Sequence, residues 1–238
     1  MPPHRLEPWL PPILVDQYRR LRRPRRRYFG IFDRFEDVPF EDPWSTDAYL
    51  ESARTELAKL DRRPFPRDPT PACLAILLVD LLSQNGPCRV LDFAGGAGLA
   101  WFTIRPHLAR PERVHWRVVD NERLAALGRA RMGPEDEHLS FATELPDPDE
   151  PWDLIHVKTS LQYLPDYRPV IDRLARYRAP MILLTQLLAT DRSTFVTSQE
   201  VQGRRVPCTF IALPELIEFL EPRGYELTSR WPVGYGSY

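Results

Sequence analysis

Two carboxylates and a cluster of glycines are the residues of this 238-residue chain whose types and spacing best suit chemistry. Asp92 follows the apolar run Val90-Leu91 and leads into Phe93-Ala94-Gly95-Gly96-Ala97-Gly98, and Asp120 closes a second run that starts at Val114. Glycines let a backbone bend sharply and approach a ligand closely. Free amides at the start of a following helix suit an anionic ligand group. A carboxylate at a strand end can accept both hydroxyls of a ribose. This order predicts a crevice for a nucleoside-bearing ligand at the carboxyl ends of parallel strands. Strand-end capping explains either acid alone, but not both acids in register with the glycines.

The elements needed to position them follow from the pattern. Thr70 and Pro71 open a helix over Ala72–Leu82, which Asn85-Gly86-Pro87 stops. Strands are predicted at Arg89–Phe93, along the run ending at Asp120, and at Leu139–Ala142, Trp152–Thr159, Met181–Leu188 and Glu226–Trp231. Helices are predicted at Asn121–Met132, Tyr167–Tyr177 and Leu213–Leu220, and this alternation predicts an α/β parallel sheet with helices on both faces. A dinucleotide loop would need a small residue at position 101, where Trp101 stands, so NAD or FAD fits poorly. A phosphate-binding P-loop is excluded because no Gly-Lys-Ser/Thr follows.

The turn Asp92-Phe93-Ala94-Gly95-Gly96-Ala97-Gly98 resembles the D-x-G-x-G-x-G loop of class I S-adenosylmethionine-dependent methyltransferases, with Ala94 at the first glycine. That exchange is tolerable only if position 94 needs no positive φ. Asp153 to Leu164 is similar to the fourth-strand motif of these enzymes, with Gln162 where many carry histidine. Within the superfamily, three features resemble a family of methyltransferases met in polysaccharide biosynthesis: the Asp92–Gly98 loop, Leu161-Gln162-Tyr163-Leu164, and Asp191-Arg192-Ser193. The aromatic segment around Trp44 and Tyr49 fits the same family, and the likeness spans residues 28–225.

The resemblance implies a Rossmann-like class I methyltransferase sheet, S-adenosylmethionine as cofactor, and a small-molecule or saccharide-like acceptor. It assigns the cofactor's amino acid part to Asp92, Ala94, Gly95, Gly96 and Gly98, its ribose to Asp120 with Asn121, and its adenine to Phe141 and Ala142. Lys158, Thr159 and Ser160 would lie beside the sulfonium, with the backbone of Lys158 facing it. Gln162, Tyr163, Asp191 and Arg192 would line the acceptor pocket. Tyr163, His156 and Asp191 are the candidate bases, although a mid-strand histidine such as His156 also reads as a satisfied core residue, and Tyr163 as packing. The usual last antiparallel strand of the fold is in doubt, because the chain stops soon after Trp231.

Composition narrows the alternatives. The formal net charge is −1, so no general attraction to nucleic acid is implied. Lys59 and Lys158 are the only lysines, and Arg19 to Arg27 crowd one proline-rich stretch that reads as a solvated arm before it reads as an RNA-binding one. Cys73, Cys88 and Cys208 form no metal-binding spacing and read as free thiols of a cytoplasmic protein. No apolar stretch is long enough to span a bilayer, and no signal peptide is visible. The expected organisation is an arm at 1–30, a helical and aromatic cap or lid at 31–69, in which Thr46 caps a helix over 47–59, and the cofactor-binding domain at 70–238. Residues 63–69 read as a linker. Three other functions compete: a catalytically inactive binding or scaffold protein of the same fold, an NAD-dependent oxidoreductase, and a nucleic-acid methyltransferase guided by the arginine arm.

Overall fold

The computed structural model describes residues 28–60 and 70–231. The expected arginine arm up to residue 27 and the expected linker lie outside them. The strands are β1 (Tyr28–Phe32), β2 (Cys88–Phe93), β3 (Val114–Val119), β4 (Leu139–Ala142), β5 (Leu154–Lys158), β6 (Met181–Thr185), β7 (Ala189–Thr190), β8 (Phe195–Val201) and β9 (Arg204–Ala212). The helices are α1 (Asp47–Leu60), α2 (Thr70–Asn85), α3 (Leu99–Ile104), α4 (Glu122–Arg129), α5 (Arg168–Ala175) and α6 (Leu213–Leu220).

The central sheet has five parallel strands in the order β4-β3-β2-β5-β6. From β2 the chain steps outward to β3 and β4, then returns to the other side of β2 as β5. That reversal opens a crevice at the carboxyl ends of β2 and β5. Strands in such a sheet are covered on both faces, so they read as near-continuous apolar runs. In β2, Val90 belongs to one core with Leu74, Leu78, Trp101 and Trp116. Leu91 belongs to the other, with Ile155, Ile171, Leu174 and Leu216.

The second sheet differs from the sequence expectation. It runs β1-β8-β9-β7, with β8 antiparallel to both β1 and β9. The β8–β9 hairpin turns on Gln202 (φ 52°) and Gly203 (φ 74°), the pair of positive φ angles of a type I′ turn. Sequence reading missed it because Pro207 interrupts the run and Gln-Gly is a weak turn signal. Glu226–Trp231, expected as a strand, is irregular and joins neither sheet. β1 crosses the boundary expected at residue 30 and ties residues 28–32 to β8.

Close approach of α4 to the glycine turn has a specific cause. A Cβ on Gly128 would fall 2.3 Å from the Phe141 ring and 2.9 Å from the Ala97 carbonyl. Gly128→Ala should therefore lower stability by about 1–3 kcal/mol despite alanine's better helix propensity. Phe141→Leu in the same chain should recover part of that. Urea unfolding checks this, and an unchanged midpoint for the single variant would show that the ring simply moves aside.

Candidate active site

The bend after β2 is built from three left-handed residues: Ala94 (φ 54°), Gly96 (φ 62°) and Gly98 (φ 76°). The condition placed on Ala94 by its sequence is thus not met. It occupies the left-handed region with a Cβ, at a cost of about 1–2 kcal/mol. Its amide is fixed to the Val119 carbonyl at 2.8 Å. Gly96 has open space where a Cβ would stand, while at Gly95 a Cβ would sit 2.5 Å from the Asp92 carboxylate. Two further non-glycine residues with positive φ, Thr159 (54°) and Gln186 (52°), directly follow β5 and β6. A β-branched residue there is a genuine outlier. Three adjacent strands thus end in strained backbone at one edge, and strain of this kind clusters at ligand sites.

Asp120 turns toward the bend. Its Oδ2 accepts from the Gly96 amide at 2.8 Å, and its Oδ1 accepts from the amide (2.7 Å) and side chain (3.0 Å) of Asn121. Asn121 also caps α4, accepting from the Leu124 amide at 3.1 Å. Burial pushes the Asp120 carboxyl above the ordinary carboxylate range. The two backbone amides oppose that shift, and the charge of Asp92 adds to it.

Beneath the bend lies a buried polar row across four strands. Asp92 is fully buried; Oδ1 pairs with His156 Nδ1 at 2.8 Å, and Oδ2 accepts from Trp116 Nε1 at 3.2 Å. His156 Nε2 meets Thr185 Oγ1 at 2.9 Å. The proton placement that satisfies every atom has His156 donating through Nδ1 to Asp92 and accepting at Nε2 from the Thr185 hydroxyl. His156 is 0% exposed with both ring nitrogens engaged, so its expected candidacy as a base gives way to the core reading.

On the β5 side, Thr159 donates to Gln186 Oε1 at 2.9 Å and the Tyr163 hydroxyl donates to Gln199 Oε1 at 2.8 Å. Gln162 is 1% exposed, and its Oε1 and the Ser160 hydroxyl are buried without partners. Lys158 ends β5 opposite Thr185. Phe141 packs its ring tip beside Gly98 and Gly128, and Ala142 ends β4 beside Val119. Asp191 and Arg192 are not drawn in: both stand exposed after β7, with Asp191 paired to Arg230 at 3.2 Å.

Sequence reading gave Trp44 and Tyr49 no site role, and the structure brings both to this edge. The Trp44 ring lies 4.9 Å from that of Tyr163. The phenol of Tyr49, on the first turn of α1, is pushed upward by burial and by the Asp120 charge. The aromatic cluster in residues 40–49 was the available signal. Trp101, which argued against a dinucleotide, is a core indole bonded to Asp136 at 2.8 Å. Among the described residues no helix is long and apolar enough to cross a membrane. Burial pushes the Cys88 and Cys208 thiols up to about 12.

Solved structures share this architecture. A chain from the complex between the Haloferax volcanii Trm112 methyltransferase activator and a protein described as a methyltransferase matches with TM-score 0.53 and 17% identity, over 80% of both chains. CalS10 of Micromonospora echinaspora, an amino pentose methyltransferase solved with S-adenosylmethionine bound, matches with TM-score 0.50 and 13% identity, over 79% of this chain and 92% of that one. No family model matches the chain, and no curated protein matches it in sequence. The fold is the Rossmann-like fold of class I methyltransferases.

Two measurements test the site's energetics. His156→Leu leaves a buried carboxylate without its main partner and should cost about 3–5 kcal/mol, against about 1 kcal/mol for Thr185→Val. Equal losses in urea unfolding would show that the imidazole does not hold Asp92. The second is a pH series. With its folded pKa above the ordinary 3.8, Asp120 binds its proton more tightly in the native state. Its contribution to stability is complete below 3.8 and is lost as pH rises through the folded value. The stability of Asp120→Asn relative to the parent should therefore improve as pH rises above 3.8 and level off once pH has passed the folded value; a flat difference would contradict this.

Proposed function

We propose that this protein is an S-adenosylmethionine-dependent methyltransferase acting on a small-molecule or saccharide-like acceptor. One observation carries the reading: a half-buried carboxylate at the end of β3, turned onto the amide of Gly96 in the bend that follows β2. Asp120 has about four acceptor positions and receives three donors at 2.7–3.0 Å from Gly96 and Asn121, so it is held in place with capacity left for a sugar hydroxyl. The open side of Gly96 leaves room for the amino acid part of the cofactor against the backbone of 94–98. Ala142 and Phe141 end the neighbouring strand where an adenine would lie, and Lys158, Thr159 and Ser160 close the β5 side.

A bound sulfonium donor supplies a methyl group already activated for displacement. The chain then has to orient the acceptor in line with it, and orientation alone can contribute about 7–11 kcal/mol. A strong base is needed only where the acceptor must lose a proton. Neither sealed His156 nor the surface pair Asp191–Arg230 suits that task. Tyr163, whose hydroxyl donates to Gln199, suits holding an acceptor.

A second reading, a protein of this fold that binds the cofactor without turnover, draws on Ala94 standing in the left-handed region where the related loop carries glycine. An NAD-dependent oxidoreductase is disfavoured by Trp101, a buried indole where a dinucleotide loop needs a small residue. Calorimetry with S-adenosylmethionine, S-adenosylhomocysteine and NAD separates these readings. The first two should bind and NAD should not. Asp120→Ala should weaken cofactor binding by more than about tenfold, roughly 1.4 kcal/mol, while leaving the fold intact. Micromolar binding of NAD alone would reverse the assignment, and tight donor binding with no turnover over a broad acceptor panel would favour the second reading.

A further inference from the structure

The segment between β1 and α1 crosses the carboxyl edge of the parallel sheet and is fastened on both sides. On the hairpin side the Glu41 amide donates to the Arg205 carbonyl at 3.4 Å, and Arg204 donates to the Asp42 carbonyl at 3.3 Å. On the far side Arg123 of α4 donates to the Ser45 carbonyl and pairs with Asp47. Val38 and Pro43 are buried beneath it. Asp42 holds its bend by accepting from the Trp44 amide at 2.8 Å and the Ser45 hydroxyl at 2.5 Å. The strap therefore spans from the start of α4, beside Asp120, to Tyr163 beyond β5, with the glycine bend between them.

Its underside carries an aromatic row. Phe40 is 59% exposed and lies 6.1 Å from Trp44 at an interplanar angle of 29°, and Trp44 lies 4.9 Å from Tyr163. The row leads from solvent to the edge where the strained ends of β5 and β6 meet. The polar groups bonded around its inner end are the carboxamides of Gln162, Gln186 and Gln199 and the hydroxyls of Thr159 and Ser160, with Lys158 preceding them at the end of β5. The strap's own acids are engaged elsewhere, Asp42 in its turn and Asp47 with Arg123. The Oε1 of Gln162, buried and without a partner, adds an unmet acceptor.

We propose that Phe40, Trp44 and Tyr163 form the acceptor platform, and that it takes an uncharged ring bearing several hydroxyls. This rests on the methyltransferase reading above. The apolar face of such a ring packs on aromatic faces, while its rim of hydroxyls matches carboxamides, which both donate and accept. Of the charges that fasten the strap, Arg123 and Arg204 are bonded to its carbonyls and Asp42 and Asp47 are held in its own contacts, so a phosphorylated or a cationic acceptor would have to displace them. The strap is thus part of the acceptor site, and Trp44 replaces the exposed Asp191 and Arg192 as its wall.

The test uses the full chain loaded with S-adenosylhomocysteine, with binding followed by saturation-transfer NMR and calorimetry. The probes are methyl glucoside, methyl rhamnoside, a cello-oligosaccharide, glucose 1-phosphate and choline. The neutral glycosides should bind. Trp44→Ala should weaken them at least about tenfold and Phe40→Ala about threefold, while Trp44→Phe stays within about threefold of the parent. All three variants should keep their affinity for S-adenosylhomocysteine. Phe40 is exposed, so its variant reports on the platform even if Trp44→Ala fails to fold. The proposal is overturned if no neutral glycoside binds, if glucose 1-phosphate or choline binds more tightly, or if folded Trp44→Ala or Phe40→Ala binds the glycosides like the parent. Failure of S-adenosylhomocysteine to bind would instead overturn the methyltransferase reading, and glycoside titration of the unloaded chain would still judge the platform.

Discussion

The interaction on which the rest depends is the buried Asp92 carboxylate, held between His156 and Trp116 directly under Gly95. A carboxylate with no exposure is tolerable only when its lone pairs are met. The three strands β3, β2 and β5 each supply one member of the group, and β6 adds Thr185 behind the imidazole. Strand register is thereby fixed by charge as well as by apolar packing. A slip of one residue would turn Asp92 to the opposite face and leave it buried among Ile155, Ile171 and Leu174. The same carboxylate sets the geometry above it, because only a residue without a Cβ fits at position 95. Fold specificity and loop shape therefore rest on one group.

That dependence explains why position 94 can carry alanine. Its amide is bonded to Val119 on one side of the bend, and Gly95 is pressed on Asp92 on the other, so the intervening backbone has little freedom left. Surroundings that over-determine a residue can hold it in a sparsely populated region. The strain belongs to the bend's position between two fixed strand ends, and alanine adds its Cβ to a conformation already dictated.

How much of this was legible in the sequence varies by element. The parallel strands and their helices were, because burial on both faces leaves apolar runs punctuated by caps and breakers; Leu139–Ala142 and Leu213–Leu220 match to the residue. The pairing of Asp120 with the bend followed from both lying at strand ends. The hairpin was not legible, since Pro207 argues against a strand and nothing local shows that β1 would arrive to pair with β8. The partners of His156 and the surface position of Asp191 were also hidden, because they depend on which strand lies beside which. Trp44 and Tyr49 were visible as aromatics, but their reach to Tyr163 and Asp120 is a product of the strap's path.

The division of labour between the two halves of the edge follows from their chemistry. The β2–β3 side holds fixed negative charge, Asp92 and Asp120, and close backbone, which suits a ligand bearing positive charge and a sugar diol. The β5–β6 side has carboxamides, hydroxyls and aromatic faces, which suit a neutral partner. Under the methyltransferase reading proposed above such asymmetry has a use: one half grips a charged donor, while the other admits an acceptor and releases it. Strain at Thr159 and Gln186 is consistent with this, because those ends must stay open where a relaxed helix or strand would fill the space. The strap joins the halves through Tyr49 on one side and Trp44 on the other, and its nine residues, 41–49, are fastened at both ends by polar contacts exposed to solvent. Contacts of that kind are individually weak. The buried row beneath the bend does not draw on them, because Asp92, His156, Trp116 and Thr185 are bonded to one another.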